Sequence, residues 1–166
     1  MKIDKLEVGF LATNCYFLIK NQDLIIIDPG ADYQKIKEKI SNYHLKAIFL
    51  THDHPDPNGV LKKLLNDYDL PVTPDQVKGF NYKIIKTPGH TEDSICFYFS
   101  EEKIMFTGDF IFEDAIGRTD LPGGNDQEMK ESLEIIKTYP DDTIIYPGHG
   151  QKTTLGLEKE RFNFYY

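Results

Sequence analysis

The sequence predicts an α/β domain containing antiparallel strand pairs, and three observations carry that expectation. Short runs rich in β-branched and aromatic residues recur from Cys15 to Pro147. Three segments between them switch to helical spacing. Strands and helices are interposed without strict alternation, so some strands follow one another directly and pair as hairpins.

The first strand signal runs from Cys15 to Leu18 and the next from Leu24 to Ile27, with a hairpin turn at Asn21, Gln22 and Asp23. The period then changes: Ile36 and Ile40 stand four apart on one face of a helix starting near Ala31 or Asp32. Lys46 to Thr51 is a short buried strand that runs straight into HDHPDP. VLKKLLNDY is a short amphipathic helix, followed by the strand-like runs YKIIKT, SICFYFS and KIMFTG. NDQEMKESLEIIKTY is the strongest helix signal. Asn125 is placed to cap it, Glu128 occupies the capping-box position, and Met129, Leu133 and Ile136 line a core-facing stripe. A last strand, DTIIYP, ends at GHG, and the aromatic tail RFNFYY is expected to pack against the sheets.

At 166 residues the chain suits a single domain spanning 1–166. The balance of 19 basic against 27 acidic residues gives a net charge of −8 without any Lys/Arg run, which repels phosphate backbones and anionic lipid. Nucleic acid and membrane partners are therefore not expected; a small-molecule substrate is. No apolar run reaches the roughly 18 residues of a membrane span and MKIDKLEVGF lacks a signal-peptide core, so the expected compartment is the cytoplasm. Cys15 and Cys96 lie in strand-like runs and read as buried, reduced thiols.

Four of the five histidines stand just beyond predicted strand ends: His52 and His54 after KAIFLT, His90 after YKIIKTPG and His149 after TIIYPG. Asp109 follows KIMFTG in the same way. Gly89, Gly108 and Gly148 immediately precede His90, Asp109 and His149, where a sharp turn aims a side chain across a cleft. Imidazole and carboxylate donors without cysteine suit Zn²⁺, with Fe²⁺ or Mn²⁺ as alternatives. His44, at a helix-to-strand turn, is expected in solvent or against the core.

Seven motifs extend this reading: TNCY at Thr13 to Tyr16, IDPG at Ile27 to Gly30, THDHPD at Thr51 to Asp56, TPGHT at Thr87 to Thr91, FTGD at Phe106 to Asp109, GRTDLPGG at Gly117 to Gly124 and PGHG at Pro147 to Gly150. In kind and order they resemble the metallo-β-lactamase superfamily, and within it the glyoxalase II-like metallo-hydrolases. The resemblance implies an αββα sandwich of two mixed β-sheets flanked by helices. It implies a first metal site of His52, His54 and His90, with Asp109 bridging to a second site of Asp56 and His149. A further histidine usually completes the second site, and here Pro57 stands in its place, so one tight site is expected beside a weak or empty one.

The function so implied is hydrolysis of a small ester or thioester. Asp56 is expected to orient a water and accept its proton, and His149 to polarise the developing oxyanion. Arg118 either anchors a substrate carboxylate or pairs with Asp120 or Asp114, and Asp28 is expected behind the ligands or in a turn. Glu92 and Asp93 add an acidic rim beside His90, and because the sequence stops soon after PGHG the helical domain that holds glutathione in glyoxalase II is expected to be missing. The alternatives are a mononuclear iron persulfide dioxygenase using His52, His90 and Asp109, and a metal-stabilised binding protein whose catalysis has decayed.

Overall fold

Two sheets, each with its own helices, organise the chain. The computed structural model describes residues 1–54 and 59–165, within two compact units, Met1–Asn81 and Tyr82–Tyr166.

In the first unit, β1 (Lys2–Val8), β2 (Thr13–Lys20), β3 (Asp23–Ile27) and β4 (His44–Phe49) form one sheet in that order. β1–β2 and β2–β3 pair antiparallel, while β3 and β4 are parallel and are joined through helix α1 (Tyr33–Ile40). β2 is buried at every residue but the last, so TNCYFLI shows no alternation of apolar and polar positions. Ile36 and Ile40 of α1 and Leu64 of α2 (Leu61–Asp67) pack with Phe17, Leu24, Ile26 and Ile48 into one apolar cluster.

The second unit holds β5 (Lys83–Lys86), β6 (Ile95–Phe99), β7 (Ile104–Gly108), β10 (Ile144–Pro147) and β11 (Thr153–Thr154), ordered β11-β10-β7-β6-β5. A small hairpin, β8 (Ile111–Phe112) with β9 (Ala115–Ile116), stands beside it. Helices α3 (Asp126–Lys137) and α4 (Leu155–Phe162) bury Met129, Leu133, Ile136, Leu155 and Phe162 against Cys96, Met105 and Ile145. No described helix is long and apolar enough to cross a membrane.

Several expectations are corrected. β1 is a strand the sequence reading did not foresee: only Val8 in it is fully buried and it carries polar residues on both faces, so its pattern is faint. β8, β9 and β11 span two residues each, and α4 includes Gly156, which weakens its helical signal. The aromatic tail divides, with Phe162 buried and Phe164 84% exposed in solvent. Asn125 caps α3 by accepting the N–H groups of Gln127 and Glu128, but its own N–H goes to the Gly89 carbonyl at 2.8 Å, a bond that ties α3 to the His90 loop. His44 is solvated and lies 3.6 Å from Asp23, and both cysteines are buried thiols.

Candidate metal centre

In the first unit, parallel pairing sets Ile27 beside Phe49, so β3 and β4 deliver Asp28 and Thr51–His52 at the same sheet edge. The Asp28 N–H donates to the Phe49 carbonyl at 2.9 Å. Asp28 turns in the left-handed region at φ 53°, a conformation that aspartate tolerates better than most residues. Its buried carboxylate accepts the Thr51 N–H at 2.8 Å and the Thr51 hydroxyl at 2.9 Å. The same hydroxyl oxygen is 3.0 Å from His52 Nδ1. A hydroxyl has one proton, and the carboxylate, an acceptor only, takes it; His52 must then donate from Nδ1, which makes Nε2 the lone-pair nitrogen. The His54 ring meets that of His52 edge-on at 4.9 Å, so the two imidazoles lie together. Asp56, with Pro57 and Asn58, lies outside the described residues.

In the second unit, β5 and β7 are both antiparallel to β6 and therefore run the same way, and β10 is parallel to β7. His90, Asp109 and His149 consequently leave the sheet at the same end. His90 Nδ1 is 2.8 Å from the carbonyl oxygen of Arg118; a carbonyl only accepts, so this ring too carries its proton on Nδ1 and its lone pair on Nε2. Asp109 Oδ2 is 3.8 Å from Nε2 of His90 and 3.5 Å from Nε2 of His149. Both separations exceed the usual hydrogen-bond range. They are close to what a shared ion produces, since two donors each about 2.1 Å from a tetrahedral ion lie about 3.4 Å apart. Asp109 Oδ1 is buried with no hydrogen-bond partner among the described residues. A buried carboxylate with one oxygen orphaned and the other beside two imidazole nitrogens is costly without a cation, so this donor set fits a metal.

The backbone around these groups admits no side chains. A Cβ at Gly148 would come 2.3 Å from Asp109 Oδ1, and one at Gly117 would come 1.9 Å from the Asp109 carbonyl oxygen. Gly89, at φ 139°, seats the His90 loop on α3, where a Cβ would meet the Met129 backbone at 2.5 Å. Within that loop Thr91 donates to Asp93 at 2.7 Å, so this half of the acidic rim braces the turn, while Glu92 stays exposed.

Arg118 gives its side chain to Asp120, with Nε and Nη2 each 2.7 Å from a carboxylate oxygen, and the guanidinium holds the Asp120 carboxyl down at about 2. Asp114 pairs instead with Arg161 at 2.6 Å. The ion pair foreseen for Arg118 is thus with Asp120. Its contact with His90 comes from the main chain, for which no residue-type signal exists.

A model of the metallo-beta-lactamase superfamily matches this chain at residues 8–82 and 75–149. The chain belongs to the metallo-β-lactamase superfamily. Its fold is that of the superfamily, and this fold binds metal ions: the BLEG-1 B3 metallo-beta-lactamase, 25% identical, covers 99% of this chain and of its own with a TM-score of 0.91. TTHA1623 in a di-iron-bound form is 28% identical, with a TM-score of 0.84 over 93% of this chain and 96% of that one. Among superfamily relatives, the hydroxyacylglutathione hydrolase GloC of Haemophilus influenzae is 30% identical over 96% of this chain and 95% of its own length.

Proposed function

We propose that the chain is a cytoplasmic metallo-hydrolase of a small ester or thioester, its two units forming the one domain 1–166. His52, His54, His90 and Asp109 hold one divalent ion tightly, Zn²⁺ first and Fe²⁺ or Mn²⁺ as alternatives; each histidine offers one ring nitrogen to it. Asp56 and His149 make a second, weaker site, because Pro57 supplies no donor atom. The observation that carries this reading is that His52 and His90, by unrelated contacts, both keep the proton on Nδ1 and present Nε2.

When bound, such an ion supplies Lewis acidity and an acidified water. The protein's own groups do the rest. Asp56 orients the water and takes up its proton, and His149, with or without a second ion, polarises the oxygen on which charge develops. Arg118 holds a substrate carboxylate once it releases Asp120. An apolar hollow of about 340 Å³, lined by Val8, Phe10, Leu11 and Ala31, suits the acyl substituent; its wall includes Gly30, two residues after Asp28. The thioester reading is supported by GloC, which is matched over 95% of its length and is named for hydrolysing an acylglutathione. A small-molecule partner, rather than nucleic acid or membrane, accords with the net charge of −8.

The test is turnover of short-chain esters and thioesters, S-lactoylglutathione among them, by protein loaded separately with Zn²⁺, Mn²⁺ and Fe²⁺. Hydrolysis that His90→Ala abolishes is the expected result. Oxygen consumption with glutathione persulfide by iron-loaded protein, without hydrolysis, would replace this reading by the dioxygenase. Tight metal binding with neither reaction would replace it by a binding protein.

A further inference from the structure

The small hairpin β8–β9 and the two residues after it reach each proposed donor of the second unit. Phe112 of β8 packs its ring 6.3 Å from that of His149. Gly117, directly after β9, donates its N–H to Phe110 at 3.0 Å and lies against the Asp109 carbonyl. Arg118, one residue on, supplies the carbonyl that receives His90 Nδ1–H. Whatever fixes the hairpin therefore fixes the approach of that carbonyl to His90.

At its tip, Asp114 adopts a left-handed φ of 62°, and both main-chain polar groups of this residue are taken by the C-terminal segment. Its N–H donates to Glu158 Oε2 at 3.2 Å, and its carbonyl accepts the Tyr165 hydroxyl at 2.9 Å. Glu158 is only 1% exposed although it is a carboxylate on a short helix. Its second oxygen accepts Thr153 Oγ1 at 2.6 Å and Arg161 Nη1 at 3.0 Å, and Arg161 reaches on to the Asp114 carboxylate. A buried carboxylate is retained at this cost only where its partners satisfy it. Here those partners join α4, β11 and the hairpin tip.

We infer that Glu158 and Tyr165 are positioning residues: by gripping the main chain of Asp114 they hold the hairpin, and through it the Arg118 carbonyl that keeps the lone pair of His90 on Nε2. This rests on the reading of His90 as a metal ligand. The grip acts at a distance from the donors, through the three residues of chain between Asp114 and Arg118.

The test uses the full chain and the variants Tyr165→Phe and Glu158→Gln, with Phe99→Leu as a destabiliser of the second unit's core outside the apolar cluster that holds Ile111, Ile116 and Tyr165. Two readouts are taken well below each melting temperature: the tautomer of His90 in metal-free protein by ¹⁵N NMR, and the dissociation constant for Co²⁺ by its visible absorption. The expected result is a mixed His90 tautomer and an affinity weaker by about 10-fold, the lower end of what outer contacts to a ligand supply, in both grip variants and not in Phe99→Leu. Unchanged tautomer and affinity in Tyr165→Phe and Glu158→Gln would overturn the inference. So would losses that merely track melting temperature and recur in Phe99→Leu. Wild-type protein that fails to take up Co²⁺ would overturn the ligand reading beneath it, and the tautomer measurement in metal-free protein keeps the two failures apart.

Discussion

Asp28 and Thr51 are joined twice, by the Thr51 N–H and by its hydroxyl, and the hydroxyl oxygen goes on to meet His52 Nδ1. A residue from the end of one strand thereby orients a proposed ligand at the end of its neighbour. Thr51→Val keeps the shape and the N–H bond but removes the hydroxyl, leaving the Asp28 carboxylate short of a partner and His52 free to change tautomer. Zn²⁺ affinity is expected to fall about 10- to 100-fold, and the metal-free protein to lose about 1–3 kcal/mol. Chelator competition and denaturant titration measure the two separately.

Gly148→Ala places a methyl where Asp109 Oδ1 stands, 2.3 Å away. Either the carboxylate or the β10 end must shift. The expected outcome is a loss of about 1–3 kcal/mol together with weakened metal binding. An Ala variant with unchanged stability and affinity would show that Asp109 does not need its present position.

Arg118→Ala separates side chain from main chain. The Arg118–Asp120 pair is exposed, with side chains 60% and 68% accessible, so its loss is expected to leave stability nearly unchanged. The carbonyl that serves His90 remains, so metal affinity is retained. KM is expected to rise for substrates bearing a carboxylate and not for neutral ones.

Burial pushes the Cys96 thiol up from 9.0 to about 12, and burial, with the nearby Asp28 charge, pushes Cys15 up as well. The sign follows from proton counting. Between pH 9 and 12 the unfolded chain has lost a proton that folded Cys96 keeps, so stability is complete below pH 9 and falls as pH rises through that window. At pH 8 native protein is expected to leave both thiols unreacted with a disulfide reagent and to release both on unfolding. A fast-reacting native thiol would contradict the buried placement.

Much of this was legible in the sequence because residue type and position both pointed one way. The strand-end placement of His52, His90, Asp109 and His149 follows from apolar runs that stop at glycine or threonine, and Asn125 announces α3 through its side chain. What escaped reading has physical reasons. β1 is an edge strand with little burial, so its side chains carry no strong alternation. The contact between His90 and Arg118 belongs to a carbonyl that any residue would supply. Glu158 lies in a segment without a clear helical pattern, and only the fold shows it to be buried against Thr153 and the Asp114 backbone.

The most direct test of the central claim is metal content per chain, measured by plasma mass spectrometry on untagged protein purified without chelator or added metal, with His90→Ala alongside. The account predicts about one tightly held Zn²⁺, or iron or manganese in its place, lost in the variant. Wild-type protein without stoichiometric metal, or a variant that keeps the full complement, would contradict it.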